Sequence, residues 1–150
     1  MRWKKAELEK YMQAKEYVDT IFLPLTPFQL GSDEDAKKNS FQNELINIFA
    51  NEIEKELSGR IMLVPNYYYI NNKEEEVNRI NSWINDMQKQ PFEHIILFTF
   101  DAGWKKYEKD LQGNVLWLPG MQTGDLHSKE MQSVIRDQIA QVSEIIRSYW

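Results

Sequence analysis

The chain of 150 residues contains no cysteine. Disulfide frameworks, thiolate nucleophiles, iron–sulfur clusters and cysteine-based zinc sites are therefore excluded. Its six glycines form neither a G-x-G-x-x-G pattern nor a P-loop, which are the usual motifs for nucleotide phosphates. Its longest apolar runs are far shorter than the ~20 residues of a membrane-spanning helix. The sequence predicts no metal site, no cofactor and no membrane association.

Basic residues are also too few for a polyanionic partner. The formal net charge is −5 at pH 7, whereas nucleic-acid binding normally needs a clustered basic face. The nearest approach to such a face is Lys4, Lys5, Lys10 and Lys15, which suit the solvated side of a helix. No secretory signal follows Met1, and the absence of disulfides suits a reducing compartment. We expect a cytoplasmic protein that does not bind nucleic acid.

Four short runs are apolar on consecutive residues, as strands buried on both faces are. Proline, which cannot donate to a strand ladder, follows three of them. These predicted strands are residues 18–25, 61–64, 94–100 and 115–118.

Between these runs the apolar residues recur with helical spacing. Ser32 is the expected N-cap of the longest helix, and Asn72 with Glu75 resembles a capping box. The predicted helices are residues 4–14, 33–58, 72–90, 103–111 and 128–150.

Strands that alternate with helices favour parallel pairing with right-handed crossovers. We therefore predict a single α/β domain over residues 1–150, with an N-terminal helix and three layers. Its four-stranded, mostly parallel sheet is expected to be Rossmann-like or flavodoxin-like, in the order 2-1-3-4 by analogy with doubly wound folds.

Ligands of open parallel sheets bind outside the carboxyl ends of the strands, near the point where strand order reverses. That point lies here between the first and third strands, surrounded by loops 24–28, 65–69, 99–104 and 119–125. The candidate ligand-binding residues in these loops are Thr26, Asn66, Asp101, Trp104 and Thr123.

Asp101 has two interpretations. At the end of a central strand, its carboxylate is placed to bind a ligand hydroxyl or to move a proton. Equally, it is placed to cap the helix that follows. A receiver-type phosphoacceptor is rejected, because the loop after the first strand, Pro24-Leu25-Thr26, has no acidic residue to share a magnesium ion. Loop 119–125 is the best remaining anion site, or simply a turn and an N-cap.

The two histidines are weak catalytic candidates. His127 lies beside Asp125 and Ser128, which together contain the groups of an acid–base site. Residues this close in sequence seldom adopt triad geometry. His94 begins a strand at the opposite end of the sheet and is expected to be structural. The catalytic candidates are thus Asp101 and His127.

The aromatic residues leave two possibilities open. The run Tyr67, Tyr68 and Tyr69 either contacts a planar ligand or a partner, or alternates between buried and exposed positions along an extended segment. Trp104 and Trp150 are either surface anchors or packing residues, and packing is favoured.

The N-terminal stretch resembles the YpiF-like family, small proteins of bacilli and their relatives. The resemblance rests on Met1-Arg2-Trp3, Tyr11-Met12-Gln13, Glu16-Tyr17-Val18-Asp19-Thr20 and Pro24-Leu25. It implies a bacterial cytoplasmic protein. The family has no established activity, so the resemblance assigns no catalytic or binding residue.

The sequence leaves the function open between two classes. The first is a non-catalytic binding or protein-interaction domain, favoured because no complete catalytic constellation is present. The alternative is a small-molecule enzyme, a hydrolase or transferase acting on a nucleoside- or sugar-like ligand with Asp101. The partner is accordingly a protein or a small molecule, and the oligomeric state stays open.

Overall fold

Helices and strands alternate along the chain in the predicted order, with one additional strand. A computed structural model describes residues 1–70, 72–121 and 123–150. Two short 3-10 helices cover Lys15–Tyr17 and Ala102–Tyr107. The remaining elements are α1 (Lys5–Met12), β1 (Thr20–Pro27), α2 (Asp33–Glu56), β2 (Ile61–Leu63), β3 (Tyr67–Tyr69), α3 (Lys73–Met87), β4 (His94–Thr99), β5 (Asn114–Trp117) and α4 (Lys129–Arg147).

The strands form one parallel sheet in the order β2-β1-β4-β5, with β3 also paired to β1. The predicted parallel α/β architecture and strand order are confirmed. The number of strands was wrong, because residues 67–69 form β3 rather than a loop. Thr20–Phe22 of β1 pair with β2, and Leu25–Pro27 pair with β3.

Two prolines explain why the edge of the sheet is split. The amide of Val64 donates to the carbonyl of Phe22, and the amide of Phe28 donates to the carbonyl of Tyr69. The even-numbered residues of β1 therefore direct their backbone groups toward β2 and β3, since these directions alternate along a strand. Pro24 has no N–H to offer on that side, and Pro65 interrupts the neighbouring strand at the same level. Hence β1 continues through Pro24 to Pro27, two residues beyond its predicted end at residue 25, whereas the neighbouring edge is divided into β2 and β3.

The sheet is covered on both faces, because successive β1 side chains point in opposite directions. Leu23 packs in a core with Tyr11 of α1, Ile80 of α3 and the fully buried Trp104. Phe22 packs in a second core with residues of α2 and α4. The consecutive apolar residues of β1 are thus explained by burial on both faces.

The helix termini follow their predicted caps with one exception. Ser32 and Ser128 accept hydrogen bonds from the amides of Asp35 and Met131, each at 3.1 Å. Asn72 instead has a φ of 63°, and its side chain caps nothing. The predicted capping box is therefore wrong, since such a cap requires an extended backbone. None of the described helices combines the length and apolar character needed to cross a membrane.

Candidate ligand-binding crevice

A cavity of about 330 Å³ opens at the carboxyl ends of β1 and β4. Its walls include Thr26 of β1, Asp101 after β4, Gln42 of α2 and Gly120 after β5. After β1 the chain forms β2 and β3 on one side of that strand, and it then forms β4 and β5 on the other side. The cavity, called the crevice below, therefore lies where strand order reverses.

Asp101 both caps a helix and lines the crevice. Its Oδ1 accepts a hydrogen bond from the amide of Gly103 at 2.9 Å, which caps the 3-10 helix. Its Oδ2 lies 2.8 Å from the Nζ of Lys73 and accepts a hydrogen bond from the Tyr69 hydroxyl at 3.0 Å. The capping interpretation is confirmed, and the carboxylate also lies in the wall of the crevice, where its second oxygen is held by Lys73 and Tyr69.

The charge state of this cluster is fixed by its neighbours. Burial opposes the charge of Asp101, but hydrogen bonds from Lys73 and Gly103 outweigh it and lower the pKa of the carboxyl. Burial, with the nearby Asp101 charge, raises the pKa of the Tyr69 hydroxyl. At neutral pH the carboxyl is therefore ionised and the phenol protonated. General acid–base catalysis instead favours groups with a pKa near the working pH.

Gly103 allows Lys73 to reach Asp101. A Cβ at this position would lie 3.0 Å from both the Asp101 Oδ1 and the Lys73 Cε. Such contacts are tighter than most, so a larger residue here would require Lys73 or Asp101 to shift by a few tenths of an ångström. Glycine at position 103 thus leaves room for the Lys73–Asp101 ion pair.

Two buried polar atoms at the crevice have no hydrogen-bond partner among the described residues. They are the Oγ1 of Thr26 and the Oε1 of Gln42. Thr26 is 0% exposed, and the Gln42 amide nitrogen already donates to the carbonyl of Met121. An unsatisfied buried polar atom costs about 1–3 kcal/mol. A ligand that hydrogen-bonds to these atoms would remove that cost.

Lys38, Gln42 and Lys73 also line the crevice but were not among the predicted candidates, whereas Tyr69 was considered only as part of the tyrosine run. Lys38 pairs with the Glu34 carboxylate at 3.2 Å and is otherwise well exposed. The signal for Gln42 was present, because it lies one turn before Ile46 on the apolar stripe of α2. A polar residue within such a stripe faces the sheet, so its side chain must find a polar environment there.

The other predicted ligand contacts lie outside the crevice. Trp104 is fully buried and packs edge-on against Tyr69, with ring centroids 5.1 Å apart. Asn66 donates to the Asn47 side chain at 2.9 Å. Thr123 is exposed. Within the predicted loop 119–125, Gln122 lies outside the described residues.

His127 does not form an acid–base site with its neighbours. Its backbone amide donates to the Asp125 carboxylate at 2.9 Å, while the Ser128 hydroxyl is used as the N-cap of α4. The His127 side chain lines a groove between α2 and α4 instead of the crevice. Asp101 and His127 therefore belong to different surfaces.

His94 lies at the amino end of the sheet with Asp19 and Glu93. Their donor atoms lie within 4.8 Å of one another, a spacing that a metal ion can bridge. Both oxygens of Asp19 already accept hydrogen bonds from Arg60, at 3.2 and 3.0 Å. A cation would have to displace that ion pair.

The tyrosine run alternates in burial. Tyr67 and Tyr69 are buried, whereas Tyr68 is 51% exposed, and its hydroxyl donates to the Asn43 side chain at 2.7 Å. Trp150 is a packing residue, because its indole nitrogen donates to the buried Thr20 hydroxyl at 2.8 Å. The guanidinium of Arg60 lies 4.0 Å from the Trp150 ring.

Comparison with known proteins confirms the family resemblance. The chain is similar to the uncharacterized protein YpiF of Bacillus subtilis (strain 168), with 24% identity over 150 residues that cover 100% of this chain and 98% of the relative. No solved structure matches it. The sequence profile described as "Protein of unknown function (DUF2487)" matches residues 9–150. The chain therefore belongs to the DUF2487 family.

Proposed function

We propose that this protein is a non-catalytic binding domain that holds a small polar molecule in the crevice. The observation that carries the proposal is the fully buried hydroxyl of Thr26, which lines the crevice and has no partner among the described residues. Buried polar groups in native proteins are nearly always hydrogen-bonded. Of the five buried side-chain atoms without a partner in the described parts of the chain, the two on Thr26 and Gln42 line this crevice, at the reversal point of the parallel sheet where ligands bind.

The lining indicates the chemistry of the ligand. The Gln42 Oε1 accepts hydrogen bonds only, so the ligand must present a hydroxyl or N–H there. Lys38 and Lys73 also line the crevice; each is paired with a carboxylate, Glu34 and Asp101 respectively, and its remaining N–H groups favour an acceptor or an anionic group. A compound that combines hydroxyl or amino groups with a negative charge fits both demands. Hydroxy acids, amino acids and sugar phosphates belong to this class.

An enzyme acting on a nucleoside- or sugar-like ligand is the second candidate. It is favoured by one observation, the position of Asp101 in the wall of the same crevice. It is weakened by the engagement of both carboxylate oxygens with Gly103, Lys73 and Tyr69. The lowered pKa of Asp101 also makes it a weak base at neutral pH. Binding without turnover is therefore the stronger proposal.

Location in the bacterial cytosol is part of the proposal. Its support is the Bacillus relative, which is similar over its whole length. Fractionation of a bacterium that carries the gene, with detection by antibody, tests this location directly. Recovery of the protein in the cytosolic fraction is expected, and recovery with the envelope would contradict it.

A thermal-shift screen tests the binding site. The purified protein is compared with Thr26→Val in hydroxy acids, amino acids, nucleosides, sugars and sugar phosphates. A ligand at a hundred times its Kd adds about 2.7 kcal/mol of stability. We expect a stabilising compound for the wild type and at least about tenfold weaker binding to Thr26→Val.

Thr123→Val is the matched control, because it makes the same substitution at an exposed site outside the crevice. It is expected to bind like the wild type. Stabilising compounds that act equally on Thr26→Val would place the site elsewhere. Conversion of the compound by the wild type, detected by NMR and lost in Asp101→Asn, would establish the enzyme instead.

A further inference from the structure

Four exposed apolar side chains lie together beside the mouth of the crevice. Phe28 and Leu30 follow β1, and Tyr68 and Ile70 lie on and after β3; they are 48%, 77%, 51% and 61% exposed. We call these four residues the rim patch. They are four of the nine exposed large apolar side chains in the described parts of the chain. Clustered exposure of this kind marks interaction surfaces, whereas single exposed apolar residues do not.

Strand pairing places the members of the rim patch side by side. Thr26 of β1 is aligned with Tyr68 of β3, and the amide of Phe28 donates to the carbonyl of Tyr69 at 2.8 Å. Phe28 therefore lies at the level of Ile70, which itself lines the crevice. Tyr68, Phe28 and Ile70 therefore occupy neighbouring positions at one corner of the sheet, and Leu30 follows Phe28 by two residues.

The rim patch includes an open strand edge. Within the described sheet, β3 pairs with β1 alone. Because the carbonyl of Tyr69 faces β1, the alternation of backbone directions turns the N–H and C=O of Tyr68 to the outer side. An extended polypeptide can hydrogen-bond to such an edge while its side chains contact the neighbouring surface.

Acidic residues border the rim patch on two sides. Asp33, Glu34 and Asp35 form the first turn of α2, shortly after Leu30. Glu74, Glu75 and Glu76 form the first turn of α3, shortly after Ile70. Three basic residues lie in or beside these turns, fewer than the six carboxylates: Lys38 pairs with Glu34, Lys73 pairs with Asp101, and Lys37 is exposed. The patch is therefore apolar at its centre and negative at its border.

We propose that the rim patch docks an extended segment of another protein in which basic residues flank apolar ones. Apolar side chains of the segment cover Leu30 and Ile70, and its lysines or arginines face the acidic turns. Complementary charge of this kind selects partners and speeds their association. A second copy of this chain would place acidic turns against acidic turns. Nucleic acids and anionic membranes would be repelled in the same way.

Fluorescence anisotropy with a designed probe tests the proposal. The probe is a short, labelled peptide in which lysine alternates with valine, and its control replaces each lysine with glutamate. We expect the lysine peptide to bind and the glutamate peptide to bind at least about tenfold more weakly. Raising NaCl from about 50 to about 500 mM should weaken the lysine peptide, because salt screens exposed charges.

Substitutions then locate the binding surface. Leu30→Ser with Ile70→Ser should weaken the lysine peptide at least about tenfold. Val134→Ser with Ile145→Ser is the matched control, because these residues of α4 are 44% and 45% exposed and lie outside the patch. All four side chains are solvent-exposed, and circular dichroism verifies that each variant is folded.

Three results would overturn the proposal. The first is no binding of the lysine peptide at about 1 mM, which corresponds to only about 4 kcal/mol. The second is equal binding of both peptides or equal weakening by the two double variants. The third is a dimer in sedimentation equilibrium that Leu30→Ser with Ile70→Ser dissociates, since the patch would then be covered by a second copy.

Discussion

The two ends of β1 each carry a fully buried threonine in different surroundings. The Thr20 hydroxyl donates to the Asp19 carboxylate and accepts from the Trp150 indole, both at 2.8 Å. The Thr26 hydroxyl has no partner among the described residues. Both side chains are 0% exposed, so burial alone does not distinguish them. The polar groups at the amino end of the strand are hydrogen-bonded within the protein, whereas the carboxyl end keeps an unpartnered hydroxyl beside the proposed ligand site.

The difference extends to the charged groups near each end. Asp19 is held by Arg60, which also stacks on Trp150. These contacts join three distant parts of the chain and fix the amino end. At the carboxyl end, Asp101 and Lys73 form an ion pair beside an open crevice. The amino end of the sheet is therefore closed by internal contacts, and the carboxyl end is where we propose that a ligand binds.

Thr20→Val should have the largest effect on stability among the polar substitutions discussed here. It leaves the Trp150 indole N–H without its acceptor and removes a hydrogen bond to Asp19. We expect a loss of about 2 kcal/mol in the free energy of unfolding. Urea unfolding followed by tryptophan fluorescence measures it. A loss below about 0.5 kcal/mol would show that the hydrogen bonds of the Thr20 hydroxyl contribute little to the free energy of unfolding, contrary to the comparison with Thr26.

Lys73→Met should have an intermediate effect. It leaves the half-buried Asp101 carboxylate with only Gly103 and Tyr69 as partners, and we expect a loss of roughly 1 kcal/mol. Lys38→Met is the control, because the Lys38–Glu34 pair is largely exposed and should contribute no more than about 0.5 kcal/mol. Equal losses in urea unfolding would contradict the special position of Lys73.

The loss of folding stability at low pH should depend on carboxylates near both ends of β1. The pKa values of Asp19 and Asp101 are lowered in the folded protein, because hydrogen bonds from Arg60 and Lys73 respectively outweigh burial. The unfolded state then binds protons more readily as pH falls. Their stabilising contributions are therefore present above about pH 4, the unfolded pKa, and are lost as pH falls through the lower folded values.

Asp19→Asn and Asp101→Asn should each flatten this acid dependence. The measurement is urea unfolding between about pH 5 and pH 2.5. Asp33→Asn is the control, since Asp33 is exposed at the start of α2. If the free energy of unfolding of either variant falls with decreasing pH as steeply as that of the wild type, the carboxylate replaced in that variant is not a source of the acid sensitivity.

Thr26→Val is the one of these substitutions that should not destabilise the unliganded protein. It removes an unpartnered buried hydroxyl, whose burial costs about 1–3 kcal/mol, and keeps nearly the same volume, so the free energy of unfolding should stay the same or rise. The same chemical change thus has opposite consequences at the two ends of β1. Urea unfolding beside Thr20→Val, under identical conditions, makes the comparison direct.

The architecture was largely predictable from the sequence. Consecutive apolar residues mark strands buried on both faces, and such runs identified β1, β4 and β5 to within a few residues. The extra strand β3 escaped because only Tyr67 and Tyr69 are buried, and three residues show too little alternation to be recognised. The strand predicted at residues 18–25 begins and ends two residues before β1, because Pro27 pairs with β3 although a proline was expected to close the strand.

The crevice was only half predictable. The topology rule located it between β1 and β4, and the rule selected Thr26 and Asp101 correctly as lining residues. It did not separate these from Asn66 and Thr123, because the direction of a loop side chain depends on tertiary contacts. Lys73 lies on another element and approaches Asp101 only where Gly103 leaves space, a relation that no local sequence pattern encodes.

The central claim is that Thr26 is kept for a ligand. The most direct measurement is urea unfolding of wild type and Thr26→Val, each with and without the compound that stabilises the wild type most. Without the compound, we predict that the variant is at least as stable as the wild type. At a hundredfold excess over the wild-type Kd, we predict a gain of about 2.7 kcal/mol for the wild type, smaller by at least about 1 kcal/mol in the variant. A variant destabilised like Thr20→Val, or one with the full gain, would contradict the claim.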